Sequence, residues 1–153
     1  VLDADALLLI DRNRLHRDDV VYTPHPGEAA AMLGTTPARI QANRLAAVQA
    51  LQREYGGVVV LKGAGTLVAD KDSVTVCPAG NPGMASGGMG DVLTGVIAGL
   101  LAQGLSASEA ARRGVCLHAV TADQVAAVQG ERGLLASDLF APMQQRLNQI
   151  GGA

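Results

Sequence analysis

The stretch "NPGMASGGMGDVLTG", Asn81 to Gly95, joins close-set glycines to one acid and then to an apolar run. Residues without a Cβ let backbone N–H groups come close to a ligand, and a helix that follows adds its own orphan N–H groups and positive dipole end. Together these make an anion site, most simply for phosphate. No G-x-x-x-x-G-K-[ST] occurs, and neither "GGMGDVL" nor "KGAGTLV" completes G-x-G-x-x-G, so the loop is neither a Walker A nor a dinucleotide fingerprint. Asp91 does not help to bind a phosphate. With a phosphoryl group on the loop amides, it could take the proton of an incoming hydroxyl while those amides stabilise the transferring charge. The alternative is that Asp91 only caps its helix and the glycines only make a tight turn.

Three more segments carry groups capable of chemistry. In "KGAGT" a strand ends on Lys62 and glycines follow, which places an ammonium to meet a phosphate and loop amides to meet an adenine nucleotide. A solvated strand end is the plainer reading. In "TPHPGE", His25 lies on a proline-bounded turn after a buried strand, at the carboxyl edge where open α/β sheets place ligands. Read structurally, His25 is a turn histidine and Glu28 a first-turn helix charge. Asp3 and Asp5 flank the end of the first strand, and Asp5 equally suits the N-cap of the next helix. His118, mid-helix among Ala and Val, and His16, in a basic loop, read as core or surface histidines without a role.

The elements that must position these groups alternate. Short β-branched runs and Ala-rich helical stretches follow one another, the pattern of an α/β layer fold. A strand end at Val1 to Asp3 precedes a short helix from Asp5 to Ile10. A buried strand at Val20 to Thr23 leads through "PHPGEAAAMLG" into a helix closed by Gly34. Thr36 and Pro37 form an N-cap and N1 pair for one long helix to about Tyr55, with Ile40, Leu45, Val48 and Leu51 at helical spacing. The runs "GVVVLKG", "TLVAD" and "SVTVCP" are strands, the last two a hairpin over "DKD". Three helices complete the chain: Gly90 to Gln103, Ser106 to Val128 with a Ser106/Glu109 capping box, and Ser137 to Gln149 before a frayed "GGA" tail.

Composition bounds the partners. The 153 residues are 48% hydrophobic but include no Trp, one Phe and two Tyr, so Ala, Val and Leu must fill the core, which suits helices packed closely on a sheet. The net charge is −2 and the pI about 5.9, with no cluster of Lys and Arg beside stacking aromatics, so no nucleic-acid partner is expected. Cys77 and Cys116 form no C-x-x-C or Cys/His cluster and read as reduced, half-buried thiols. No membrane span or signal peptide is legible, so a cytoplasmic protein without a membrane partner is expected. The chain opens on Val-Leu-Asp in what reads as the middle of a domain, as a fragment would.

"GNPGMASGGMGDVLTG" closely resembles the signature of the ribokinase-like NAD(P)H-hydrate dehydratases, and "VLDADAL", "TPHPGE" and "VVLKGAGT" match that family's other motifs in the same order. Four ordered motifs are far more specific than one. The resemblance runs out to "GERGLLASDL" and covers the C-terminal portion of a single family domain. It implies an α/β fold, a three-layer α/β/α sandwich with a mostly parallel sheet and a terminal hairpin. It further implies repair of (S)-NAD(P)H-hydrate by dehydration, driven by ADP or ATP with Mg²⁺. Lys62, Gly63, Ala64, Gly65 and Thr66 would form one wall of the nucleotide site. Asn81, Pro82, Gly83, Met84, Ala85, Ser86, Gly87, Gly88, Met89 and Gly90 would form the other. His25, Pro26, Gly27 and Glu28 would touch the hydrated nicotinamide, and Asp91 would be the catalytic residue. A homo-oligomer and a fused upstream epimerase domain are expected on the same ground. The alternatives are a small-alcohol or vitamin-precursor kinase of this fold, against which "NPGMASGG" and "TPHPGE" argue, and a non-catalytic nucleotide-binding fragment.

Overall fold

The computed structural model describes residues 1–10 and 17–150. His16 and the "GGA" tail lie outside the described residues. The order is α1 (Asp5–Leu8), β1 (Val21–Tyr22), α2 (Pro26–Met32), α3 (Pro37–Ala42), α4 (Arg44–Tyr55), β2 (Val58–Leu61), β3 (Thr66–Ala69), β4 (Val74–Cys77), α5 (Met89–Ala102), α6 (Ala107–Gln129) and α7 (Phe140–Ile150). Short 3₁₀ turns at Pro82–Met84 and Ala136–Leu139 precede α5 and α7.

The sheet runs β1-β2-β3-β4. β1 and β2 are parallel, and Leu2 adds a single parallel bridge to Tyr22 outside β1, which is all that forms of the strand expected at Val1 to Asp3. β3 returns antiparallel after the short Lys62–Gly65 loop, too short for a parallel crossover, and β4 completes the expected hairpin. The sheet is therefore mixed.

Both faces are covered. β2 is buried at all four positions, as a central strand must be. Its period of two sends Val59 and Leu61 into a core with Leu7, Ala29, Ile40, Val48 and Leu51 from α1 to α4. Val58 and Val60 face the other way, against Leu93, Ile97, Ala110, Ala111 and Val115 of α5 and α6. Small residues bring α5 and α6 close: a Cβ on Gly114 would stand 2.7 Å from Ile97 Cγ1. A third cluster, including Met89, Val125, Leu139 and Met143, seats α7. This is the expected three-layer sandwich.

The long helix expected from Thr36 to Tyr55 is two helices. Thr36 caps α3 as read, but Asn43 leaves helical geometry at φ −149°, ψ 77°, and its side chain accepts the Ala46 amide to begin α4. The break resets the helical phase, so Ile40, Val48 and Leu51 are buried while Leu45 is 52% exposed. α1 stops at Leu8 rather than Ile10, and its N-cap is Ala4, not Asp5. Ser106 caps α6 as read, its hydroxyl accepting the Glu109 amide and donating to the Glu109 carboxylate. The first turn expected of the last helix is 3₁₀. Cys77 is half-buried, whereas Cys116 is exposed, and both are free thiols. Among the described residues no helix is long and apolar enough to cross a membrane.

Candidate functional site

Leu2, β1 and β2 run in the same direction, so the residues that follow them arrive at one edge of the sheet. Asp3, His25 and Lys62 are brought together there. Lys62 Nζ donates to Asp3 Oδ1 at 2.7 Å and lies 3.8 Å from Glu28 Oε2. Thr94, on the first turns of α5, donates to Asp3 Oδ2 at 2.9 Å. Burial alone would raise the Asp3 carboxyl, but the Lys62 hydrogen bond and charge, with the Thr23 and Thr94 hydroxyls, hold it below its ordinary value. A Cβ on Gly90 would stand 3.2 Å from Lys62 Nζ, so the bare glycine gives the ammonium its place.

His25 is the N-cap of α2 and forms a capping box. Its Nδ1 accepts from the Gly27 and Glu28 amides, and Glu28 Oε2 accepts from the His25 amide at 2.6 Å. Two acceptor bonds at Nδ1 put the ring proton on Nε2, which lies 3.4 Å from Glu28 Oε1. Gly27 is required locally, since a Cβ there would stand 2.7 Å from the imidazole. Both readings of the histidine therefore meet in one residue: it caps a helix, and its ring faces the cavity.

That cavity measures about 810 Å³, within the range of small-molecule sites. Among its walls are His25, Pro26, every residue from Lys62 to Thr66, and Asn81, Pro82, Met84, Ala85, Ser86, Met89 and Gly90. Gly27, Glu28, Gly83, Gly87, Gly88 and Asp91 do not line it. Asp91 is exposed in the first turn of α5, and its carboxylate forms no hydrogen bond or ion pair with a described residue. It is not a side-chain cap, because the N-cap is Gly88, in the left-handed region at φ 85°. The anion-binding parts are present. The amides of Gly63, Ala64 and Gly65 find no acceptor among the described residues, and α5 opens beside them.

Several parts of the site have no local signal. Asp123 of α6 accepts the Gly80 amide at 2.8 Å and Asn81 Nδ2 at 2.9 Å, while Asn81 Oδ1 accepts the Gly83 amide at 3.0 Å. One carboxylate thus fixes the start of the glycine loop. His118 lines the cavity with Val115 and Ala119, at i, i+3 and i+4 of α6, a stripe the sequence does display. Its bonds are not satisfied as expected: Nε2 is buried without a partner, and burial pushes the imidazole down to about 4. Ser86 Oγ is likewise buried and unpartnered.

An α/β/α sandwich with its cavity at the carboxyl ends of parallel strands is an open α/β architecture, and its fold is that of the ribokinase-like proteins. Ribokinase from Thermotoga maritima superposes with a TM-score of 0.57 at 18% identity, covering 93% of this chain and 48% of that one, a likeness of fold alone. The chain belongs to the NAD(P)H-hydrate dehydratase family, whose model matches residues 1–145. It is 52% identical to the bifunctional NAD(P)H-hydrate repair enzyme of Coxiella burnetii over 97% of this chain and 30% of that protein. It is 44% identical to the ADP-dependent (S)-NAD(P)H-hydrate dehydratase of Neisseria meningitidis over 98% of this chain and 53% of that one. The ADP/ATP-dependent NAD(P)H-hydrate dehydratase of Bacillus subtilis, co-crystallised with ATP/Mg²⁺, superposes with a TM-score of 0.85 at 31% identity, covering 97% of this chain and 53% of that one. The chain thus spans from 30% to 53% of the length of these relatives.

Proposed function

We propose that residues 1–153 belong to a single dehydratase domain that restores NAD(P)H from (S)-NAD(P)H-hydrate at the expense of ADP or ATP. The observation that carries this reading is the meeting of Lys62–Thr66 with residues of the Asn81–Gly90 segment across one cavity, where loop amides without an acceptor among the described residues are available to an adenine nucleotide's phosphates. Hydroxide is a poor leaving group and phosphate a good one. Asp91 takes the proton of the ring hydroxyl as its oxygen attacks the terminal phosphorus and the anhydride bond breaks. The phosphate then leaves with its bonding electrons, a neighbouring ring proton is lost, and the double bond returns. The loop amides and Lys62 stabilise the phosphoryl charge. The exposed position of Asp91, one residue beyond the cavity wall at Gly90, suits a hydroxyl presented from outside the nucleotide cavity.

Mg²⁺ belongs with this nucleotide chemistry. Among the described residues no group of three or more His, Cys, Asp or Glu side chains could hold a metal alone. Mg²⁺ needs only one or two carboxylates when phosphates and water complete its shell, and Asp3 and Glu28 converge on one ammonium. With Asp3 and Glu28 paired to Lys62 and off the cavity wall, the nucleotide's phosphates and water would supply most of the ion's shell, and the ion when bound would neutralise phosphate charge. The bifunctional names of relatives that this chain covers by 30% support a fused epimerase in the whole protein.

The test is return of NADH absorbance from hydrated NADH with Mg²⁺ and either ADP or ATP. Wild-type protein is expected to turn over, and Asp91→Asn to bind nucleotide without turnover. Near-normal turnover by Asp91→Asn removes Asp91 from the mechanism, and accumulation of a phosphorylated alcohol instead of NADH indicates a kinase.

A further inference from the structure

Arg44 stands at the first position of α4, directly after the break at Asn43, and its guanidinium reaches behind the Lys62–Thr66 loop. Nη1 donates to the Lys62 carbonyl at 3.3 Å, and Nη2 to the carbonyls of Leu61 at 3.1 Å and Gly65 at 3.3 Å. The remaining acceptor is Gln41 Oε1 at 3.4 Å. No carboxylate pairs with it among the described residues, and burial pulls the guanidinium below its ordinary value. A half-buried cation given three backbone carbonyls and no carboxylate is holding a piece of backbone in place.

The direction of that hold follows from peptide geometry. In a trans peptide the C=O and the next N–H point opposite ways, and no described peptide is cis. With the Lys62 carbonyl drawn to Arg44, the Gly63 N–H points away from it. With the Gly65 carbonyl drawn back, the Thr66 N–H points away too, into the β3–β4 pairing of Thr66 with Cys77. The Gly63 carbonyl is taken by the Thr66 hydroxyl at 2.9 Å. Arg44 does not line the cavity and the loop does, so the side away from Arg44 is the cavity side. The glycine and the arginine also require each other. Gly63 has φ +137°, and a Cβ there would stand 2.7 Å from Nη1.

We propose that Arg44 is the positioning residue of the phosphate loop: by binding the carbonyls of Leu61, Lys62 and Gly65 from behind, it anchors both ends of the loop and turns the Gly63 amide toward the nucleotide. This rests on the adenine-nucleotide reading of the cavity. Its test is calorimetric binding of ADP and of ATP, with Mg²⁺, to wild-type protein and to Arg44→Ala, Arg44→Gln and Arg44→Lys, beside the KM for hydrated NADH.

The alanine and glutamine variants are expected to raise nucleotide Kd roughly tenfold, the worth of about one weak hydrogen bond to a charged group. Their KM for hydrated NADH stays unchanged. Lysine restores only part of the affinity, because an ammonium cannot fork across three carbonyls. Free guanidinium restores affinity to Arg44→Ala, and tetramethylammonium at equal ionic strength does not. Unchanged nucleotide Kd in the variants overturns the proposal, as does an equal rise in Kd and in the KM for hydrated NADH. Should the alanine variant not fold, the lysine variant decides, a wild-type Kd there overturning the proposal. Wild-type protein that binds neither ADP nor ATP overturns the nucleotide reading itself, a result distinct from any of these.

Discussion

His118 makes stability depend on pH in a window where few other groups titrate. The ring is 5% exposed, its Nε2 has no partner, and burial pushes its pKa from 6.5 to about 4. The unfolded chain takes up a proton as pH falls through 6.5, and the folded chain does not until about 4. Stability is therefore full above 6.5, falls across the interval, and stops falling from this source below about 4. A pKa lowered from 6.5 to about 4, at about 1.4 kcal/mol per tenfold, makes the loss by pH 4 about 3 kcal/mol, since the folded imidazole is itself half-protonated there. Asp3 and Asp70, whose hydrogen bonds and cationic neighbours hold them below the ordinary 3.8 against the opposing effect of burial, lose their contributions only as pH falls below that value. The assay is denaturant unfolding at a series of pH values between 7 and 4, on wild type and on His118→Leu, which keeps the volume and removes the titration. The difference between the two curves is expected to grow by about 3 kcal/mol from neutral pH to pH 4. Parallel curves, agreeing within a few tenths of a kcal/mol, would refute the assignment of a buried, unpartnered imidazole.

Asp123→Ala strands the Gly80 amide and the Asn81 side-chain amide together, so a stability loss of about 1–3 kcal/mol is expected with weaker ADP binding. Denaturation and calorimetry read both, and unchanged ADP affinity would separate Asp123 from the site. Ala4 has φ +49° and ψ −130°, the one positive φ outside glycine among the described residues. Ala4→Gly relieves strain of about 1–2 kcal/mol and gives back part of it to the unfolded chain, leaving a gain of up to about 1 kcal/mol. A loss of that size on denaturation would show that the backbone there is unstrained.

What could be read from the order of residues was what neighbours decide. Gly34 ends α2, Ser106 starts α6, and Pro26 and Pro37 occupy first helical positions, because a cap needs only a side chain and an amide a few residues away. The motif loops were legible for the same reason, and so was the place of His25 at the carboxyl edge of the sheet. Asn43 was not legible, because a helix tolerates Asn. What makes it a break is the placing of Arg44, whose carbonyl partners lie 17 to 21 residues on. Lys62 finds Asp3 across 59 residues, Thr94 finds Asp3 across 91, and Asp123 finds Asn81 across 42. Each of these pairs exists only after the sheet has formed and the helices have packed on both faces. Glycines make a loop able to present its amides, but a flexible loop has no reason to present them in one direction. Charged residues from outside the cavity, Arg44 behind one wall and Asp123 behind the other, supply that direction. The chemistry of such a site is written in its motifs, and its preorganisation in single residues far from them that look like ordinary surface charges of a helix.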